Sequence, residues 1–514
     1  MGQIQKELKN NKKYLYYSIF ISLFTILPQL LITDSIKRGL IDILLFILLV
    51  SISQYSKIIF SIFVIYFNII NIIINHIHFH WGSNFSTIED RMRVAATSPY
   101  YETLEYLKTF IDYRDYLLIG YVLLILFLLY KFIINHKNTY KIIRIISIFI
   151  SIILILILGN HQPIVFIKKY IEVSQNSKIV LARAKYLHSI NSIKKPKKHS
   201  LNKQNIKYDK IIIILGESVN KHHMQIYGYN KNTTPFFSKL LRSKKLYKFN
   251  VIAPANSTRW VVGMLFTKAN VSDWKNMYIH SQSIVSDFKD YGYKTYWISN
   301  QGKLDSHETY VTSIANESDN QIFFNQGIYK KAKPDIIIKT YLDKLKFNNG
   351  KEFYVFHLIG SHFSYKKRVT NDHILYKYPK NIIEEYDNTI FFTDYIIKNI
   401  FNFFTKNSQR VLIIYLSDHG EIVNPSKFGH GFYPTFKDEY EIPLLIYSNI
   451  KNKRIDLLFQ KNKNHYFNME NFNYLIKYIS GISNDLNISY SSKIFPSNPK
   501  VILDYDQLKF FKNN

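Results

Sequence analysis

The chain has no cysteine among its 514 residues. Structural disulfides and thiolate metal sites are therefore excluded, and any bound cation must be held by carboxylate, imidazole or hydroxyl groups. Acidic residues are scarce as well: 37 Asp and Glu stand against 67 Lys and Arg, a formal net charge of +30. Such an excess suits nucleic acid or an anionic membrane surface. The lysines are scattered among Ile, Asn and Tyr without a recognisable nucleic-acid motif, so nucleic acid is not expected as a partner. The sequence shows no internal repeat, and its only compositional bias is a general excess of Ile, Lys and Asn. No small-residue exit site follows the first apolar run, which argues against a cleavable signal peptide.

Long apolar stretches are confined to the N-terminal third. They run from Tyr14 to Ile32, Leu40 to Gln54, Ile58 to Ile74, Tyr116 to Ile134 and Ile142 to Leu158. Most approach the roughly 20 residues that a hydrocarbon core requires, so five membrane spans are expected within residues 1–160. Lys6, Lys9, Lys12 and Lys13 precede the first stretch, and Lys131, Lys137, Lys141 and Arg144 surround the gap between the last two. The loop from His76 to Asp115 offsets its basic residues with Glu89, Asp90, Glu102, Glu105 and Asp112. Basic loops stay in the cytoplasm, which places everything after about Gly159 outside it.

Residues 161–207 read as a bridge. Ile164, Ile167, Ile171, Val180, Ala184 and Leu187 recur at helical spacing, suited to a helix along the membrane surface, and a basic linker around Lys194 to His199 follows. Residues 208–514 form a separate domain. Its short apolar runs are Lys210 to Leu215, Tyr247 to Ile252, Thr295 to Ser299, Phe353 to Leu358, Val411 to Leu416 and Pro443 to Tyr447. Alternating with helical patterns, they predict an α/β/α domain around a mostly parallel sheet. A long helix is predicted over Asn381 to Phe404.

Chemistry-bearing residues gather at the ends of these runs. Glu217 follows the first, and Asp418 and His419 follow the run ending at Leu416. Ligands in open α/β sheets collect beyond the carboxyl ends of the strands, so these residues are candidate ligands for one divalent cation. Ser257 and Thr258 open a predicted helix reaching Thr267, where the helix dipole and free N–H groups favour an alkoxide and a phosphoryl oxygen. Either is a candidate nucleophile. His362 and His430, both in loops, are candidates for a second metal, for the transferred phosphate, or for protonating a leaving oxygen. His357 lies inside an apolar run and is expected in the core; His222 and His223 are expected to face solvent.

Together these segments resemble the phosphoethanolamine transferases, the membrane-anchored branch of the alkaline phosphatase/sulfatase superfamily that modifies lipopolysaccharide. Gly216-Glu217-Ser218 and Tyr227-Gly228-Tyr229, followed by Thr233-Thr234-Pro235, carry the likeness. So do Trp297-Ile298-Ser299-Asn300-Gln301, the run from His357 to His362, and Asp504-Tyr505-Asp506. The resemblance implies zinc on Glu217, Asp418 and His419, with Thr258 rather than Ser257 as nucleophile and metal neighbour. It implies a second metal as an option, phosphate-site roles for His362 and His430, and substrate contacts from Asn300 and Gln301. It also implies a phosphatidylethanolamine donor, a lipopolysaccharide acceptor (lipid A or a core sugar), and an inner-membrane protein with a periplasmic catalytic domain. Two departures stand out. Many relatives carry disulfides in the outer domain. The Ser257-Thr258-Arg259-Trp260 segment also lacks the proline spacing of sulfatase nucleophiles, which disfavours sulfate ester hydrolysis. Rival expectations are a glycerol phosphate transferase of the lipoteichoic-acid-synthase type, a hydrolase that admits water in its second step, and a non-catalytic membrane-anchored lipid-binding module.

Overall fold

The computed structural model describes residues 15–27, 36–81, 108–135, 178–190, 208–302, 310–325, 333–432, 434–496 and 501–512. Two compact units make up the chain.

The first is helical. Its described helices are Leu15–Leu27, Ile36–Tyr55, Lys57–Trp81 and Tyr113–Asn135. They fall on the first four expected spans; the fifth, 142–158, lies outside the described residues. Two of them, over Lys57–Ile77 and Tyr113–Ile133, are long and apolar enough to cross a membrane. Leu45, Leu48, Phe60, Val64, Phe67, Ile125 and Phe132 interlock as the core of this unit. The third apolar stretch, expected to end at Ile74, continues as helix to Trp81. Along it Asn68, Asn71 and Asn75 are buried, three and four residues apart and so on one face. Asn68 Nδ2 donates to Val64 O at 2.8 Å, and Asn71 Nδ2 donates to Thr25 O at 2.7 Å. Asn71 thus reaches the neighbouring helix Leu15–Leu27, and Asn68 bonds back to its own helix.

The second unit is built on an eight-stranded sheet. Its strands are β1 (Lys210–Gly216), β2 (Leu246–Ile252), β3 (Lys294–Gly302), β4 (Asn320–Asn325), β5 (Glu352–His357), β6 (Val411–Ser417), β9 (Glu441–Ser448) and β10 (Phe467–Asn468), in the order β10-β2-β9-β6-β1-β5-β3-β4. A separate hairpin pairs β7 (Ile422–Asn424) with β8 (Lys427–Gly429). From β6 across to β4 every pairing is parallel; β9 runs antiparallel to both its neighbours. Every residue of β1 is buried, because both faces of the sheet are covered. Ile211, Ile213 and Leu215 enter one core, and Ile212 and Ile214 enter the other. That double burial explains why the strand reads as an unbroken apolar run rather than an alternation. β4 and β10 had no such signal: β4 is a polar-fronted edge strand and β10 has two residues.

Residues 178–190, within the expected bridge, form a helix that packs on this unit. Val180 joins its core. Arg183 is fully buried, donates to Tyr278 O at 3.0 Å, and pairs with Glu317 at 2.5 Å. Of the expected apolar stripe Val180 is buried, Leu187 is half-buried and Ala184 is exposed.

At the amino end of β1, Lys210 is buried and paired with Glu352 at 2.7 Å. Lys210 Nζ also donates to Gly350 O at 2.7 Å, while Tyr354 OH donates to Glu352 at 2.9 Å. Removing one member of such a pair strands a buried charge. Lys210→Met is expected to cost about 3–5 kcal/mol in denaturant unfolding of the detergent-solubilised protein, and Lys210→Met combined with Glu352→Gln is expected to cost less than Lys210→Met alone.

Glu441, at the start of β9, meets Lys221 at 2.6 Å and His222 at 2.7 Å and accepts a hydrogen bond from Tyr505 OH. The Asp504-Tyr505-Asp506 tract therefore docks on the sheet through its tyrosine. Burial raises the carboxyl's pKa, but the contacts with His222 and Lys221 win and lower it from 4.5 to about 2. A depressed carboxyl stabilises the folded state above its unfolded pKa and loses that stabilisation as pH falls through the folded value. At about 1.4 kcal/mol per unit this amounts to roughly 3 kcal/mol. Glu441→Gln is thus expected to lose stability at neutral pH and to flatten the fall in unfolding free energy between about pH 4.5 and 2, followed by denaturant titration at each pH.

Candidate active site

In the sheet register Gly216 stands opposite Ser417. The residues just past them, Glu217 and Asp418, therefore leave adjacent parallel strands side by side at the carboxyl edge. Glu217, Asp418 and His419 are essentially inaccessible to solvent. One donor atom from each lies within 4.8 Å of the others. His419 Nε2 is 3.3 Å from Glu217 Oε1 and 3.4 Å from Asp418 Oδ2. Its Nδ1 lies 2.9 Å from Gly420 O, which places a ring proton there and turns Nε2 toward the two carboxylates.

Backbone groups hold the cluster. Ser218 N and His419 N both donate to Asp418 Oδ1, at 3.1 and 2.7 Å. Ser218 adopts a left-handed conformation, φ 58°, unusual for a residue with a side chain; its hydroxyl donates to Glu217 Oε1 at 2.9 Å. The long helix Ile382–Asn407, capped by Asn381, backs this turn. Tyr386 OH, from that helix, donates to Ser218 O at 2.6 Å.

Thr258 opens the helix Thr258–Phe266, with Ser257 as its N-cap. Thr258 Oγ1 donates to Glu217 Oε2 at 3.1 Å and lies 3.3 Å from His419 Nε2. Ser257 makes no side-chain capping bond; the hydroxyl that reaches the cluster is that of Thr258. The preceding loop is tied down by Glu439, a buried residue with no sequence signal of its own. Its carboxylate accepts from Asn256 Nδ2 at 2.9 Å, from Thr435 Oγ1 at 2.6 Å and from Phe432 N at 2.9 Å.

The electrostatics call for positive charge. Burial and the neighbouring Glu217 push Asp418 up to about 7. Burial works against ionisation of Glu217 too, but the His419 hydrogen bond and charge prevail and hold its carboxyl below the usual range. His419, against its own burial, is pushed up to about 10 by Asp418 and Glu217. Asp418 Oδ2 is buried with no hydrogen-bond partner, a costly state for a carboxylate oxygen. Two carboxylates, an imidazole and an adjacent hydroxyl are the donor set of a zinc-type cation, so the residues fit one.

A second trio, His419, Glu421 and His430, also gathers within 4.8 Å. Glu421 was not singled out in the sequence, although it follows His419 by two residues. It is buried, accepts from Tyr365 OH at 2.6 Å, and sits 2.7 Å from His430 Nδ1. The rings of His419 and His430 are 4.0 Å apart, and those of His430 and His362 are 6.4 Å apart. Both phosphate-site candidates thus border the cluster. His362 Nδ1 lies 2.8 Å from Phe363 O.

Asn300 and Gln301 part company. Gln301 Nε2 donates to Glu217 Oε2 at 3.1 Å and to Leu358 O at 3.0 Å, holding a candidate ligand in place. Asn300 is fully buried and donates to Asp335 Oδ1 at 2.8 Å. Asp335 in turn accepts from Ile359 N and Gly360 N at 3.0 and 2.9 Å. Asn300 faces this support of the loop beside Glu217, because burial of Asp335 demands every donor in reach. Gly360, at φ +48°, has space for no more: a Cβ there would lie 2.9 Å from Glu217 N.

His357 is buried in the core, as expected, with Ser299 Oγ 3.3 Å from Nδ1. Its Nε2, however, has no hydrogen-bond partner, and burial lowers its pKa to about 4. His222 is exposed. His223 is not: it is half-buried and pairs with Asp387 at 2.9 Å, because the long helix brings that carboxylate against it.

A sulfatase family model matches residues 209–482, which span the whole of this cluster. The chain belongs to the sulfatase family. Among curated proteins it is similar to the phosphoethanolamine transferase EptC of Escherichia coli O18:K1:H7, with 27% identity over 261 residues, 47% of this chain and 45% of that protein. It is also similar to the phosphoethanolamine transferase EptA of Helicobacter pylori, with 29% identity over 264 residues, 46% of this chain and 47% of that protein. The matched part thus spans about half the length of these curated relatives. The fold is shared with the periplasmic domain of EptC from Escherichia coli, solved in complex with Zn: TM-score 0.50, 22% identity, 59% of this chain and 94% of that one. It is shared too with the integral membrane protein EptA from Neisseria meningitidis: TM-score 0.56, 14% identity, 90% of this chain and 95% of that one.

Groups that orient a metal ligand commonly contribute 10–100-fold in affinity. Gln301→Ala is expected to weaken zinc binding by that order in chelator competition, whereas Asn300→Ala is expected to lower the thermal unfolding midpoint by several degrees with a smaller change in zinc affinity.

Proposed function

We propose that this protein is a zinc-dependent phosphoethanolamine transferase of a bacterial inner membrane, multi-pass, with its catalytic domain in the periplasm. The observation that carries the reading is the Thr258 hydroxyl, at a helix N-terminus and within 3.4 Å of Glu217 and His419. The named activities of the similar EptC and EptA proteins support the transferred group. So does the Kdo(2)-lipid A phosphoethanolamine 7''-transferase of Salmonella typhimurium, 23% identical over 257 residues, which favours a lipopolysaccharide acceptor.

Glu217, Asp418 and His419 would hold the ion, and a bound zinc would supply Lewis acidity that lowers the pKa of a neighbouring hydroxyl. Thr258 Oγ attacks the phosphorus of phosphatidylethanolamine. A phosphorus–oxygen bond forms to Thr258, and the bond to the glyceryl oxygen breaks, releasing diacylglycerol and leaving phosphoethanolamine esterified to Thr258. Two displacements replace one difficult one. His430, oriented by Glu421, and His362 border the transferring group, where they stabilise its charge and pass a proton to the departing oxygen. A hydroxyl or phosphate oxygen of lipid A or a core sugar then attacks, and Thr258 is regenerated. The positive end of the helix dipole of Thr258–Phe266 lies at Thr258 and favours a phosphoryl group there. A sulfatase fold does not by itself imply sulfate chemistry, and the Thr258 segment lacks the sulfatase proline spacing.

Mass spectrometry of lipopolysaccharide from cells expressing the protein tests this. Phosphoethanolamine-modified species are expected with the wild type and none with Thr258→Ala, whose turnover should fall on the order of a thousandfold or more. Glycerol phosphate addition would instead identify the other transferase class, and diacylglycerol release without any acceptor would identify a hydrolase.

A further inference from the structure

The helical unit gathers a second set of ligand-type side chains that shares no residue with the catalytic cluster. His76 and His80 lie one turn apart near the end of the helix Lys57–Trp81, so both imidazoles leave the same face. Their rings are 4.7 Å apart. Asp115, in the first turn of the helix Tyr113–Asn135, is buried and faces them: Oδ1 is 2.7 Å from His76 Nδ1, and Oδ2 is 3.2 Å from His80 Nε2. One donor atom from each residue lies within 4.8 Å of the other two.

Helix capping explains part of this arrangement. Asp115 Oδ2 accepts from Asp112 N at 3.0 Å, and Arg114 is held by Asp112 at 2.6 Å. Capping needs one carboxylate, however, and leaves two imidazoles converging on it unexplained. Ionisable groups in an otherwise apolar helical unit are costly and concentrate at functional positions. Two imidazoles at i and i+4 with a carboxylate from a second helix are the ligands that zinc-class cations prefer. We propose that His76, His80 and Asp115 bind a divalent transition-metal ion of the zinc class. The ion clips the end of one helix to the start of the other.

Zinc content of the full-length protein in detergent, stripped with chelator, reloaded with Zn2+ and dialysed, tests the site. The wild type is expected to retain one equivalent more than His76→Ala/His80→Ala, and Asp418→Asn is expected to keep that equivalent. Equal zinc in the wild type and the double-histidine variant would overturn the proposal. His80→Gln guards against misfolding, because glutamine can still hydrogen-bond Asp115 but is a poor zinc ligand. In an Asp418→Asn background loaded with Co2+, visible d–d absorption is expected and is expected to vanish when His80→Gln is added; absorption that is absent beforehand or survives the substitution counts against the site.

Discussion

Two carboxylates and an imidazole, shut away from water at one end of a parallel sheet, need a compensating positive charge. Everything around them answers to that need. Burial alone would neutralise Asp418, and only a cation, a proton on His419 or a metal, lets both acids ionise together. The backbone meets one oxygen of Asp418 with two N–H donors and leaves the other bare. His419 Nε2, 3.4 Å away, is the nearest positive group that can offset it within the chain.

The sheet makes this possible through register. Parallel pairing of β1 with β6 brings residues some 200 positions apart to the same level. Rigid strands buried on both faces fix that level, and the side chains just beyond the strand ends inherit their precision. Supporting contacts then come from elements with no chemistry of their own. Tyr386 steadies the turn after Glu217, Gln301 steadies its carboxylate, and Glu439 steadies the loop before Thr258. Much of the domain's polar interior is therefore committed to positioning a small reactive cluster.

Legibility in the sequence tracked the strength of local signals. The unbroken runs of β1 and β6 predicted both strands and the ligands after them, since double burial permits nothing but apolar residues. The edge strand β4, fronted by Asn320 and Gln321, carried no such signal. Residues 178–190 show a different limit: periodicity identified a helix but gave no sign that Arg183 would be buried against Glu317. Asn300 and Gln301 are neighbours in a strand, so their side chains point to opposite sides; a motif names the pair, and only the fold assigns one to Asp335 and the other to Glu217.

The sequence by itself determined the apolar helical segment in front of an α/β domain, the exclusion of thiolate chemistry, and the identity of Glu217, Asp418 and His419 as candidate ligands. These follow from composition and from strand-terminal position, which are local properties. Tertiary structure decided which hydroxyl of the Ser257-Thr258 pair reaches the cluster, that Glu421 and Glu439 belong to its surroundings, and that His223 turns inward to Asp387. Each of these depends on the direction of a side chain relative to elements distant in the chain, and only packing sets that.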